Sequence, residues 1–421
     1  MAQYRAIFQN AYFKGLATAA VLTAGLAVGQ AQAADNDQNL DANELSSATG
    51  EIIITGDNND KGTENKWGAL NISGAATTTI GQDLKITSGA KASNYITSDD
   101  SGDAVVKGKV LTIEVASDQV KNNGLTVKGT TNSGASAVFT TANIKAGTLD
   151  VNEATSTKSG SFAANTINIG TATSNQKATT VTTNAYVNLG DKSALGTALA
   201  NNKLLSEMTT INLNKDGKIV ALSGTSSANL ATSINAAVLN INGGSLVLEA
   251  SDAGSGTDLQ LALANGSMSD GSISIASGSS LTIAFTEHTI KKDANDTVGL
   301  EKKFDINSGT IDAKGNITVT GKGTLFVNDG VKLTGGKTGE EATFSFSGDG
   351  TNDPTLKTST TQLDKIDDVT KLNLKNATLE LTDDGQITLG ATNPSITLSG
   401  TAGLNQIHAD TALTIKAKDV L

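Results

Sequence analysis

The sequence predicts an all-β chain wound as a right-handed parallel β-helix (a β-solenoid), with tandem β-sandwich domains as the alternative. Three observations carry this expectation. Apolar and polar residues alternate in short runs, such as Leu111, Ile113 and Val115 or Ile317 and Val319, each bounded by Gly, Asn, Asp or Ser. A period of two buries one face of a strand and solvates the other. Gly, Ser, Thr and Asn together supply 174 of the 421 residues, whereas aromatics supply 3%. A sandwich core prefers larger side chains, while a stacked coil has a thin core that small aliphatics fill. Lastly, a strand, a small-residue turn and a second strand form one unit found four times, at Ala142 to Val151, Leu239 to Leu248, Phe304 to Ala313 and Leu372 to Leu381. Uneven spacing between the copies suits a solenoid, whose insertions leave the stacked coil intact.

The first element is an address. Residues 1–15 carry Arg5 and Lys14 without an acid, and a mostly apolar stretch from Leu16 to Val28 leads to Ala31, Ala33 and Ala34. A basic start, a short apolar middle and small residues before a cut read as a secretory signal peptide. The apolar stretch would span about 20 Å as a helix, short of the roughly 30 Å of a bilayer core. Residues 1–33 are therefore expected to be removed between Ala33 and Ala34, leaving 34–421 as the β-solenoid. The chain has no Cys, its only Arg is Arg5, and its formal charge is −11. Loss of Arg5 and Lys14 takes this to −13, with lysine as the sole exported cation type.

Further along, residues 35–62 are acidic and poor in apolar residues, which predicts a frayed beginning. Alternating strands follow to the end, at an expected 25 or so residues per coil, about 15 coils and roughly 75 Å of rod. Asp191 to Met208 breaks the alternation, and Leu195 and Leu199 at i, i+4 spacing behind Asp191 predict a short helix there. A longer repeat aligns Leu363, Ile366, Leu372 and Leu374 with Leu404, Ile407, Leu413 and Ile415, and in part with Leu205, Met208, Ile211 and Leu213.

Little of this carries chemistry. The lack of Cys excludes thiolate metal sites and Cys nucleophiles, and the acidic balance without Arg argues against nucleic acid and polyanions. His288 and His408 stand 120 residues apart. Paired acids at Asp99-Asp100, Asp367-Asp368 and Asp383-Asp384 could serve glycoside hydrolysis, but adjacent acids in turns are more often solvated. The loops at Asp57 and at Asp349 to Asp353 fail the calcium-loop pattern, and Trp67, Tyr95 and Tyr186 are too scattered to identify a carbohydrate platform. No catalytic, cofactor or metal residue is expected.

A signal peptide followed by short Gly/Ser/Thr/Asn-rich strands with recurrent GTL, GSL and GTI turns resembles the passenger regions of bacterial autotransporters. The resemblance implies an adhesin-like or structural β-helix at the bacterial cell surface, exported through a C-terminal outer-membrane barrel. No transmembrane helix is expected in the mature chain. The last strand, at Leu413 to Ile415, is followed by six residues, so the resemblance places the barrel on a missing C-terminal part. The expected partners are host or neighbouring-cell surface proteins, neutral glycans, or a second copy of the rod. A secreted polysaccharide-active enzyme and a surface-layer or matrix scaffold are the alternatives.

Overall fold

The computed structural model describes residues 39–57, 65–74, 77–91, 93–99, 101–115, 121–130, 132–152, 160–171, 185–190, 193–197, 203–222, 232–250, 256–286, 289–291, 297–335 and 342–383, with the strands at 386–388, 396–399, 406–409 and 414–416. Ala31, Ala33 and Ala34, where cleavage of a signal peptide is expected, and also His288, lie outside them.

The chain is a parallel β-helix with three strand faces per coil. Face A stacks strands through Val106, Ala137, Phe162, Leu195, Ile234, Leu261, Ile283, Val319, Phe346 and Leu374. Face B stacks Ile54, Ile86, Ile113, Ile144, Ile169, Leu213, Ile241, Met268, Ile306, Val327, Thr358, Leu381 and Ala409. Face C runs from Ile72 through Ile96, Val127, Val151, Leu189, Ala221, Leu248 and Ile275 to Ala313. These stacked strands are parallel, so antiparallel sandwiches are ruled out. Among the described strands, only Thr289–Lys291 and Thr297–Gly299 pair antiparallel, in an insertion outside the stack.

Among the described residues, face B has thirteen rungs from Ile54 to Ala409, which at about 4.8 Å per step span about 58 Å. The step between rungs ranges from 21 residues (Ile306 to Val327) to 44 (Ile169 to Leu213) and averages about 30. The average step is longer than the expected 25-residue coil, and the rungs among the described residues number fewer than the expected 15 coils. Insertions at the corners lengthen individual coils without adding rungs.

Alternation places the core as expected. Leu246 and Leu248 are 1% exposed, and Leu379 and Leu381 are fully buried. The core is not purely aliphatic: Phe162, Phe304, Phe344 and Phe346 are among the largest fully buried side chains. Phe139 stacks on Phe162 with centroids 6.0 Å apart, and Phe344 tilts against Phe346 at 5.1 Å. The four repeated units are corner pieces. Three turn from face B to face C, while Leu372 to Leu381 turns from face A to face B. Gly147 and Gly309 take these corners at φ of 111° and 116°, where a Cβ would meet neighbouring coils at 2.8 Å and 2.2 Å. That region is open to glycine and strained for other residues.

Residues 39–57 are ordered into the fold, contrary to the expected fraying. Helix α1 (Ala42–Ser47) opens with a capping box: Asp41 accepts the backbone N–H groups of Asn43 and Glu44, and Glu44 accepts that of Asp41. It buries Leu45 and packs against the first face A strand, Thr77–Thr79. Ile52 and Ile54 are fully buried on face B. The reason is reciprocal capping, which lets a six-residue helix form where composition is polar.

The predicted helix at Asp191 to Met208 is also corrected. Ala194–Gly196 is a face A strand with Leu195 fully buried, and among the described residues that follow up to Met208 the helical element is a 3₁₀ turn at Leu205–Glu207. Stacking under Phe162 and over Ile234 overrides the local i, i+4 pattern; Asp191 and Leu199 lie outside the described residues. The 41-residue repeat is not a coil register either. Leu372 and Leu374 stack on Ile396 and Leu398, 24 residues on, and Leu379 on Ile407. Leu363 and Ile366 instead belong to helix α2 (Thr360–Val369), which packs between the face C strand Val331–Gly335 and the later strand Gln386–Thr388. Ser359 caps α2 through Gln362, and Asp383 of the next coil accepts the backbone N–H and hydroxyl of Thr360 at 2.8 and 3.1 Å. Gln362 donates from Nε2 to the Val331 carbonyl at 3.1 Å, satisfying part of the strand edge that the helix covers.

Candidate binding surface

The three faces carry different outer surfaces. Because inward and outward positions alternate, each outer row repeats once per rung. Face B is charged along much of its length: Lys85 and Lys145 pair with Glu114 at 3.0 and 3.6 Å, Lys303 with Asp305 at 3.2 Å, and Lys357 with Glu380. The Lys85 ammonium, with Lys145 adding to it, holds the Glu114 carboxyl below its ordinary range. The Lys357 ammonium also lies 5.8 Å from the centroid of the Phe326 ring. In the middle of the same row Asn143, Asn168, Asn212 and Asn240 form a ladder. The amide nitrogens of Asn168, Asn212 and Asn240 donate to the carbonyl oxygens one rung earlier, at 2.9, 2.9 and 3.0 Å. The half-buried ladder ties consecutive coils together through side chains as well as backbone.

Face C is charged too. Lys218 reaches Glu249 at 4.0 Å and Lys314 reaches Asp312 at 3.6 Å. Asp150 is only 3% exposed and is held by Lys91 and by the Asn188 amide at 2.6 Å. Burial of that carboxylate is compensated by a cation and a hydrogen bond.

Face A differs. One outer row runs Ser136, Ser161, Ala194, Ser233, Gln260, Thr282, Thr318 and Ser345. The row beside it includes Val138, Ala163, Asn235, Ala262, Ala284, Thr320 and Ser347. Neither holds a charge over eight rungs, a strip of about 34 Å. Asp258 borders the strip at one rung. Small hydroxyl, amide and methyl groups make the strip flat and able both to donate and to accept hydrogen bonds.

Where face A turns toward face B near its later rungs, the strip opens into a depression of about 630 Å³. Its lining includes Phe285, Thr320, Ser347, Gly348, Asp349 and Asn352. Asp349 is fixed by its own turn: its carboxylate accepts the backbone N–H groups of Thr351 and Asn352 at 2.8 and 2.7 Å and the Asn352 amide at 3.1 Å. Those Asn352 and Thr351 N–H groups hold its carboxyl below the usual aspartate range. Asp353 accepts from Gly350 in the same turn at 2.8 Å.

The residues singled out from sequence are not brought together. Asp99 accepts from Ser101 in a local turn and Asp383 caps α2, while Asp100 and Asp384 lie outside the described residues. The Asp367-Asp368 pair falls on α2. His408 sits on a face B strand in register with Glu380. No group of three or more His, Cys, Asp or Glu side chains that could hold a metal is found among the described residues. Trp67 pairs with Ile54, one rung before the face B stack that begins there, and Tyr95 and Tyr186 lie on face C at separate coils. The uncharged strip escaped sequence reading because its members are 22 to 39 residues apart and align only once the corner insertions are known. No helix of the described residues is long and apolar enough to cross a membrane. No family model, curated protein or solved structure matches the chain.

Proposed function

We propose that the chain is an exported cell-surface rod of the autotransporter-passenger type that works by adhesion through face A, without catalysis. The observation that carries this reading is the uncharged strip on a rod whose other two faces bear ion pairs. Desolvating hydroxyls and amides is less costly than desolvating ammonium and carboxylate groups. A linear array of small, uncharged weak contacts also gains strength by multivalency. The ligand class that fits is uncharged and extended: a neutral glycan, a polar segment of a cell-surface protein, or a second rod.

The test is binding of the purified chain to cells and to neutral glycans, before and after lysines are placed at Ser233, Thr282 and Thr318 on face A. The reading expects binding that the three lysines abolish, with no product released from polysaccharides. Binding unaffected by lysines on face A, or turnover that disappears on changing Asp367 and Asp368, would overturn it. Export is tested separately: the mature chain should begin at Ala34, and recovery of intact Met1 at the cell surface would refute it.

A further inference from the structure

We propose that the depression at the A–B corner is a subsite for one neutral sugar ring at the end of a glycan lying along face A. This rests on the adhesive reading above and gives it a specific pocket and ligand class. The volume, about 630 Å³, falls within the range of small-ligand sites. Its polar groups come from consecutive rungs. Thr320 and Ser347 are register partners on neighbouring strands, and Asp349 and Asn352 follow Ser347 in the next turn. Hydroxyl groups rotate to donate or accept, so Thr320 and Ser347 can match ring hydroxyls of either polarity. The carboxylate of Asp349 accepts only, and its turn pre-orients it at the rim before any ligand arrives.

Charge sets the selectivity. Asp349 is the only charged side chain among the described lining residues, so it rewards hydroxyl donors and repels carboxylate or sulfate on a sugar. The ring of Phe285 is buried at 4% exposure and supports the floor without offering a stacking plane. Without such a plane the single-site affinity is expected to be weak, about millimolar, with useful strength coming from the repeated contacts of face A.

The experiment uses the purified chain with cellobiose, lactose and diacetylchitobiose as neutral probes, and digalacturonate as the charged one, followed by saturation-transfer NMR. At least one neutral probe should bind, and digalacturonate should bind at least about tenfold more weakly. Ser347→Ala and Asp349→Asn should each weaken the neutral probe by about tenfold. Asparagine keeps an oxygen for the Thr351 and Asn352 N–H groups, and Ser347→Ala leaves the turn untouched should Asp349→Asn fold poorly. Absence of neutral binding at about ten millimolar, equal binding of digalacturonate, or neutral binding that Ser347→Ala leaves unchanged would each overturn the proposal. Cell binding that survives Ser347→Ala and Asp349→Asn but is lost with lysines on face A would remove this subsite and leave the adhesive reading standing.

Discussion

Leu379 and Glu380 are adjacent on one face B strand, and exchanging each for alanine separates burial from surface pairing. Leu379 is fully buried, on a strand in register with Leu356 on one side and Ile407 on the other. Leu379→Ala removes roughly three methylene equivalents, about 2.4 kcal/mol of transfer free energy, and the cavity raises the cost toward the 2–5 kcal/mol seen for buried leucines. Glu380 pairs with Lys357 where both side chains are about one-third exposed, 35% and 34%, so its removal should cost about 0–1 kcal/mol. The chain's single tryptophan supplies the readout. Trp67 pairs with Ile54 one rung before it, and Leu379 lies twelve rungs from Trp67, about 58 Å. In a one-dimensional stack, damage is transmitted through nearest neighbours. Urea unfolding followed by far-UV circular dichroism should therefore show an early phase in Leu379→Ala, while the Trp67 fluorescence midpoint stays near wild type. Ile86→Ala, one rung from the Trp67 partner Ile54, should shift that midpoint strongly. Equal costs for Leu379→Ala and Glu380→Ala would refute the strand orientation. Equal Trp67 shifts for Leu379→Ala and Ile86→Ala would refute nearest-neighbour transmission.

Other expectations follow from single contacts. Gly124 has φ of 148° and a Cβ there would lie 1.8 Å from the Thr148 carbonyl oxygen, whereas a Cβ at Gly81 meets nothing within 4 Å; Gly124→Ala should lower the melting temperature by several degrees and Gly81→Ala should leave it within error. Asn212 donates to Asn168 and accepts from Asn240, so Asn212→Ala should cost about 1–2 kcal/mol in urea titration, and a cost of zero would show that the ladder adds nothing to the backbone. The Glu114 carboxyl is held below its ordinary value of 4.5, chiefly by hydrogen bonding to Lys85. Because its folded pKa is depressed, its contribution is present above about 4.5 and is lost as pH falls through the lower folded value. Glu114 is 42% exposed, so the acid-limb difference between wild type and Glu114→Gln should be small and should shrink further in high salt.

Much of the fold was legible because burial in a coil follows a two-residue period that needs no knowledge of partners. Leu246 and Leu379 could be assigned inward from their own strands alone. Elements whose conformation depends on the neighbouring coil were not legible. Leu195 carries a helical spacing but is held in a strand by Phe162 and Ile234. Helix α2 looked like part of an alternating repeat, although Ser359 before it and the buried pair Leu363 and Ile366 at i, i+3 were signals that could have found it. Asp41 and Glu44 likewise spelled a capping box inside a segment whose composition suggested fraying. Face A was hidden for a geometric reason. Ser233 and Thr282 are neighbours but one on the surface, yet 49 residues apart in sequence.

The uneven coil lengths give the rod a graded mechanical response. Backbone hydrogen bonds between coils run along the rod, so tension between its ends opens them one rung at a time. Releasing an average coil of about 30 residues would free about 100 Å of extended chain in place of one 4.8 Å rung. The coil between Ile169 and Leu213, at 44 residues, would free about 150 Å. If the rod serves as the surface adhesin proposed above, it would yield in discrete increments under shear and dissipate load before its outermost contacts are broken. The positions of the long insertions decide how much slack each increment releases.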